Sequence, residues 1–246
     1  MQRASWRGQG WRGTRVGGLL CGLLFAGLSS AASLQINPTR VEIDQDSRVV
    51  ALTLRNSGSD DANVQLELVQ WTQVEGEDHY QPTTELLATP PIFSLAAGSQ
   101  QIIRVGLRGT PDEQRERAFR LYVQELPPSA EQGFRGLRMM LRMSLPVFIA
   151  PVSGKSGPEL EWRLRRLSVH EVELSVVNRG NGRAQVSELS LEHRGKRLVP
   201  GGMAYVLAGA TRSWTLQSPA DLADDAQLAL TARIDGVQYG SQLSVH

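Results

Sequence analysis

From residue 34 onward apolar residues recur at every second position, and that period leaves little room for anything but half-buried β-strands. Val50, Leu52 and Leu54 alternate with Val49, Thr53 and Arg55; Val64, Leu66 and Leu68 alternate with Gln65 and Glu67; Ile103, Val105 and Leu107 follow. The runs are bounded by the turn-forming stretches NSGSDD, DHYQP, AAGSQ and RGTPDE. No segment carries a sustained helical repeat, and the best candidate, Pro111 to Arg117, reads as a charged turn. The 24 glycines and 12 prolines suit short elements joined by tight turns.

The pattern predicts seven strands near 34–43, 48–56, 62–74, 79–88, 100–108, 118–126 and 135–149. That number and spacing indicate an immunoglobulin-like sandwich over residues 33–150. The polar stretch Pro151 to Pro158 (PVSGKSGP) reads as a linker, and a second strand series from Leu160 places another sandwich over 159–246. Leu52-Thr-Leu54-Arg-Asn56-Ser-Gly58 is echoed by Leu174-Ser-Val176-Val-Asn178-Arg-Gly180. Each is an alternating strand that ends in Asn and Gly, residues suited to a left-handed turn. The fold expected is all-β, with two domains of similar architecture.

Residues 1–32 stand apart. Arg3, Arg7, Arg12 and Arg15 precede the apolar run Val16 to Leu28, and the small residues Ser29 to Ala32 follow it. A basic start, a short apolar middle and small residues describe a secretory signal peptide, cleaved near Ala31 or Ala32. The apolar run is too short for a comfortable membrane span. Cys21 lies inside that run behind Leu20, where a lipoprotein signal would need a small residue. Removing four arginines and no acid turns a net charge of +1 into −3, and it removes the single cysteine. The exported chain must then hold itself together by hydrophobic cores rather than disulfides.

Composition and spacing exclude several functions. A charge near zero does not suit nucleic-acid binding. The histidines His79, His170, His193 and His246 show no metal-ligand spacing. There is no nucleophile elbow, phosphate loop or dinucleotide fingerprint. Asp60-Asp61 and Asp224-Asp225 are turn acids whose side chains would point apart on a strand. The chain therefore reads as a non-enzyme, with no catalytic residue, metal, cofactor or small-molecule substrate. Trp71, Trp162 and Trp214 sit among alternating neighbours and read as core or interdomain residues rather than a sugar platform.

One strand carries more apolar surface than a sandwich needs. In GLRMMLRMSLPVFIAP (Gly136 to Pro151) the odd positions Leu137, Met139, Leu141, Met143, Leu145, Val147 and Ile149 are all apolar. Such a stripe spans about 40 Å, roughly twice an ordinary strand. Pro146 lacks a backbone donor and belongs at an edge or bulge. A long apolar edge is a hazard unless it has a partner.

These residues, with several spaced motifs, resemble the periplasmic pilus chaperones, the PapD-like family. SLQINPTRVEID (Ser33 to Asp44) is similar to that family's first strand, with Arg40 at its basic anchor. ALTLRNSG resembles the second-strand signature, and Ala88 to Leu107 carries a Thr-Pro-Pro…Gly…Arg pattern through Thr89, Pro90, Pro91, Gly98 and Arg104. ERAFRLYVQELPP (Glu116 to Pro128) resembles the strand that ends in Glu125-Leu-Pro127-Pro128. The second domain matches mainly through its length and the Asn178-Arg-Gly180 turn.

The resemblance implies two sandwiches set as an L or boomerang with a cleft between them. It implies a periplasmic chaperone that folds and caps pilin subunits by donor-strand complementation and delivers them to an outer-membrane usher, without cofactor or ATP. Leu137, Met139, Leu141, Met143 and Leu145 would be donated into a subunit's open groove. Arg40 would hold the subunit's C-terminal carboxylate. The family's second anchor, a lysine, is replaced by Pro146, and Arg142, about 13 Å along the strand, is the candidate to compensate. Leu145-Pro-Val-Phe148 resembles the archaic branch that serves spore-coat-U-like pilins. For the domain interface the resemblance implies Glu116 and Asp235, but Ala150 stands where the family has an arginine. A secreted immunoglobulin-like adhesion or structural module, with the stripe as plain core, is the alternative.

Overall fold

The strand expected over 34–43 breaks at Pro38, which has no N–H to continue a ladder. Its halves join different sheets, β1 (Leu34–Asn37) one and β2 (Val41–Ile43) the other. The computed structural model describes residues 34–127, 139–218, 222–223 and 225–246. Residues 1–32, expected to be a leader, and Leu137 lie outside the described residues.

The first half continues with β3 (Val49–Asn56), β4 (Ala62–Val74), β5 (Glu77–Pro82), β6 (Leu86–Thr89) and β7 (Ile92–Leu95). It closes with β8 (Gln100–Leu107), β9 (Arg117–Leu126) and β10 (Arg142–Ile149). A four-stranded sheet in the order β1-β3-β8-β6 packs on a six-stranded one in the order β2-β10-β9-β4-β5, with β7 also on β4. Two windows needed correction besides the first. The stretch at 79–88 divides after Pro82, so β5 forms a hairpin with β4 while β6 crosses to the other sheet. The strand expected from 135 begins only at Arg142 among the described residues.

The second half contains β11 (Leu160–Ser168), β12 (Glu171–Asn178), β13 (Ala184–His193), β14 (Lys196–Leu198) and β15 (Ala204–Val206). It ends with β16 (Thr211–Gln217), β17 (Gln227–Ile234) and β18 (Val237–Ser244). Sheet β11-β12-β16 faces sheet β14-β13-β17-β18, with β15 also on β13. No helix occurs among the described residues.

Alternation places the core as expected. Leu52, Leu54, Val64, Ile103, Leu121 and Val147 are sealed in the first sandwich; Leu164, Leu174, Leu191, Leu228 and Leu230 are sealed in the second. A third cluster, Trp71, Ala118, Phe148, Tyr205, Leu207 and Ala210, bridges the two. Trp71 and Phe148 meet Tyr205 at ring-centroid distances of 5.7 and 5.4 Å, close to the optimum for tilted aromatic pairs.

The echoed Asn-x-Gly turns work by a different device from the expected one. Neither Asn56 nor Asn178 has a positive φ. Both are buried, and each side-chain amide satisfies loop backbone that would otherwise lack partners. Asn56 donates to the carbonyls of Asp60 and Leu95; Asn178 donates to those of Gly182, Val206 and Leu207. Gly58 and Gly180 donate their N–H back to the respective Asn oxygens, both at 3.0 Å.

Candidate functional site

The apolar stripe leaves its own core partway along β10. Ile149, Val147 and Leu145 are buried in the first sandwich, with Leu145 only 3% exposed and paired to Leu121. Met143 and Leu141 are half-buried against the rim of the core, and Met139, before the strand, is 82% exposed. Leu145, expected at the exposed part of the stripe, is therefore not available to a partner, because the packing of β9 and β10 reaches that far and encloses it. The residues the sandwich leaves available are Met139, Leu141 and Met143.

The backbone beside this stripe is open on one side. β9 pairs antiparallel with all of β10, whereas β2 pairs parallel with Val147, Phe148 and Ile149 only. Among the described residues no strand covers positions 142–146 on the β2 side. Glu125 donates its N–H to the Leu141 carbonyl at 2.9 Å, which assigns odd-numbered residues to the β9 ladder. Even-numbered residues face outward, as Ala150 does when it donates to Ile43 at 2.8 Å.

At the C-terminal end of this open edge lies a cleft of about 850 Å³ between the sandwiches. Arg40, Arg120, Ser144, Pro146, Tyr205 and Arg212 line it. Arg40 is 43% exposed and pairs with Glu42 at 3.1 Å. Arg120 occupies the β9 position that pairs with Pro146. Its guanidinium carbon lies 3.8 Å from the centroid of the Trp71 ring, a cation–π stack that fixes its direction. Its Nε is buried and has no hydrogen-bond partner among the described residues.

Arg142 does not line the cleft. It lies 4.0 Å over the Tyr122 ring and pairs with Glu67 at 3.3 Å, on the outer face of the sheet. The cation beside Pro146 is Arg120 instead. Sequence spacing could not identify it, because the neighbour of Pro146 is set by the β9–β10 register rather than by distance along the chain.

The sandwiches are locked by polar contacts around the aromatic bridge. Glu116, largely buried, accepts the Arg183 N–H at 3.1 Å, and its other oxygen meets the Arg183 guanidinium. That guanidinium also reaches Glu42 and stacks 3.7 Å from the Phe148 ring centroid. Burial pushes the Glu116 carboxyl above its ordinary range, and the neighbouring Arg183 cation only partly offsets this. The arginine missing at Ala150 is thus supplied by the second sandwich. Asp235 does not join the bridge: it accepts the Gln185 N–H at 2.9 Å within its own sandwich, at a turn position with φ of 49°. Gln73, which carried no sequence signal, donates to the Tyr205 carbonyl and accepts from Leu207, both at 2.9 Å.

The stretch read as a linker is pressed against the second sandwich. Gly182 donates to Gly157, and Arg179 donates to Glu159 at 2.7 Å. A Cβ on Gly180 would lie 2.2 Å from the Gly157 carbonyl oxygen, and one on Gly182 would lie 2.6 Å from the Gly157 nitrogen. Glycine is required at both positions because two backbones touch there.

Trp71 stands in the interdomain cluster, and Trp162 is buried in the second core, stacked on Trp214 at 6.1 Å. Among the described residues no group of three His, Cys, Asp or Glu could hold a metal ion.

Comparison with known proteins gives three kinds of match. The family of pili and flagellar-assembly chaperones, through its PapD N-terminal domain, matches residues 33–155. The chaperone protein PmfD of Proteus mirabilis (strain HI4320) is 26% identical over 140 residues, which is 54% of this chain and 52% of PmfD. The match thus spans about half the length of that relative. Among solved structures, the CsuC-CsuE chaperone–tip adhesion subunit complex from the archaic chaperone-usher Csu pili of Acinetobacter baumannii superposes with a TM-score of 0.67 at 23% identity. That match covers 87% of this chain and 100% of the other. The SafB chaperone with the SafA pilin of Salmonella enterica matches with a TM-score of 0.58 and 19% identity, over 88% and 97% of the respective chains. At these identities the solved structures speak to the fold.

Proposed function

Since the chain belongs to the family of pili and flagellar-assembly chaperones, we propose that it holds pilin-type subunits by strand addition at the open edge of β10. The observation that carries this reading is the apolar stripe that emerges from its own core at Met143 and ends fully exposed at Met139. An incomplete subunit sandwich would take Met139, Leu141 and Met143 into its groove, each burial contributing on the order of 1.5 to 3 kcal/mol. Its backbone would pair with the outward groups of β10. Methionine repacks readily, which suits acceptance of more than one subunit.

The subunit's C-terminal carboxylate would enter the cleft and meet Arg40, with Arg120 rather than Arg142 as the second cation. Charge-assisted hydrogen bonds to guanidinium groups are strong where water is partly excluded. Residues 1–32 would direct export to the periplasm, residues 151–158 would join the domains 33–150 and 159–246, and an outer-membrane usher would receive the loaded complex. Spore-coat-U-like pilins are the subunits this reading favours.

The test is co-expression of the full chain with pilin-like open reading frames encoded beside it, followed by periplasmic extraction. A one-to-one complex is expected. Recovery of the chain at the cell surface, with no subunit bound, would favour an adhesion module instead.

A further inference from the structure

We infer that the free edge of β18 joins two copies of this chain, antiparallel about a two-fold axis at Gly240. The inference is independent of strand addition at β10, which lies in the other sandwich. β18 ends its sheet: β17 pairs with it on one side, and among the described residues no strand covers positions 237–243 on the other. Such edges are normally guarded by charges, prolines, bulges or short length. The other edges of this sandwich are guarded in these ways. Arg163 and Arg165 lie on β11, Arg212 on β16, Lys196 and Arg197 on β14, and β15 is three residues long. β18 is eight residues long, with no charge, no proline and no break in register.

The hairpin turn fixes which residues of β18 face outward. Asp235 and Gly236 both have positive φ and form a two-residue loop, so Ile234 and Val237 exchange hydrogen bonds. Odd-numbered residues therefore bond toward β17, as Val245 does when it donates to Ala226 at 3.0 Å. Even-numbered residues turn their N–H and carbonyl outward. His246 uses both on β11, donating to Leu164 at 3.1 Å and accepting from Arg166 at 2.9 Å. Gln238, Gly240 and Gln242 have no such partner strand among the described residues. Around Gly240 the sequence VQYGSQL reads nearly the same in both directions. An antiparallel copy would set Gln238 against Gln242, Val237 against Leu243 and Tyr239 against Ser241, with Gly240 facing its own counterpart. Among the described residues nothing in the single chain requires glycine there: its φ is not positive, and a Cβ would meet only the Leu230 carbonyl oxygen, at an ordinary 3.8 Å. A glycine in mid-strand weakens the strand but suits a place where a second backbone approaches closely. The occupant is a second copy because the edge is complementary to itself.

The chain without residues 1–32 has no cysteine, so single introduced thiols report the register. Across a hydrogen-bonded pair the two Cα atoms lie about 5.5 Å apart, within reach of a disulfide. Positions 238 and 242 would each lie about 13 Å from their own counterparts, out of reach. Gly240→Cys is expected to give at least about tenfold more oxidised dimer than Gln238→Cys or Gln242→Cys alone. Mixing the Gln238→Cys and Gln242→Cys chains should restore the crosslink. Sedimentation of the cysteine-free chain should show a concentration-dependent dimer. Gly240→Lys should weaken it by at least about threefold, by setting like charges opposite each other on the axis. Met139→Glu should leave it unchanged.

A chain that stays monomeric at the highest concentration reached overturns the inference. So does a dimer weakened by Met139→Glu and not by Gly240→Lys, which would put the contact at β10. Equal crosslinking of the three single-cysteine chains overturns the axis at Gly240. None of these results bears on strand addition at β10.

Discussion

Arg183 grips both oxygens of Glu116, one through its backbone N–H and the other through its guanidinium. Glu116 begins the approach to β9 in the first sandwich, and Arg183 precedes β13 in the second. The contact therefore ties the position of one sandwich to the other. Removing the cation leaves a largely buried carboxylate without its partner. Arg183→Ala is expected to lower stability by about 3 kcal/mol at neutral pH. Urea unfolding measures this, and an unchanged midpoint would show that the aromatic bridge alone holds the interface.

The same carboxylate gives the interface a pH dependence. Glu116 titrates above its ordinary value of 4.5 because burial outweighs the Arg183 cation. A raised carboxyl binds its proton more tightly in the folded state. Its stabilising contribution is complete below 4.5 and is lost as pH rises through the raised value. Glu116→Gln removes this titration. The variant should gain stability relative to wild type as pH rises from 4.5 toward neutrality, and the penalty of Arg183→Ala should shrink at acidic pH. A variant that loses ground with rising pH would mean that the ion pair wins over burial.

Along β10 the two ends of the stripe should respond differently. Met139→Glu and Leu141→Glu place a charge where a subunit groove would be apolar, and both should abolish subunit capture. Met139 is exposed, so its variant should unfold like wild type. Leu145→Ala instead opens a cavity in the chain's own core, at about 2 to 5 kcal/mol. Co-purification and thermal unfolding together separate these effects.

In the cleft, Arg40→Ala and Arg120→Ala should each reduce recovery of subunit complexes by about tenfold or more. Arg142→Ala should leave it near the wild-type level, because Arg142 is engaged by Tyr122 and Glu67 away from the cleft. Equal losses from Arg142→Ala and Arg120→Ala would return the second anchor to the strand.

The Gly180 loop makes a geometric prediction. Gly180→Ala forces the 157–159 segment away, because the new methyl would overlap backbone that cannot rotate aside. Stability should fall by about 1 to 3 kcal/mol, and small-angle scattering should register an altered arrangement of the two sandwiches. An unchanged scattering curve would show that the polar and aromatic contacts fix the arrangement without the loop.

Much of this molecule was legible because strand burial has a period of two, and a period survives without knowledge of what packs against it. Leu52, Val64, Ile103 and Leu121 fall into the core as alternation requires. The breaks at Pro38 and Pro82 were less legible: a proline signals interruption but does not say that the chain then crosses to the facing sheet. The echoed Asn56 and Asn178 were identified as a repeat, yet their buried side-chain hydrogen bonds depend on loops far away in the chain, such as that of Leu95.

Local chemistry along the chain thus determined most of the strands, the two-sandwich plan, the apolar stripe and the restriction of Pro146 to an edge or bulge. Each of these depends on a residue and its close neighbours. Tertiary structure alone decided where the stripe leaves the core, between Leu145 and Met139, because that depends on how far β9 extends beside it. It also decided that Arg120 stands beside Pro146 and that Arg183, not a residue near Ala150, completes the interface. Those pairings join residues 26 and 67 positions apart, a separation that strand register and domain docking bridge and that no sequence spacing encodes.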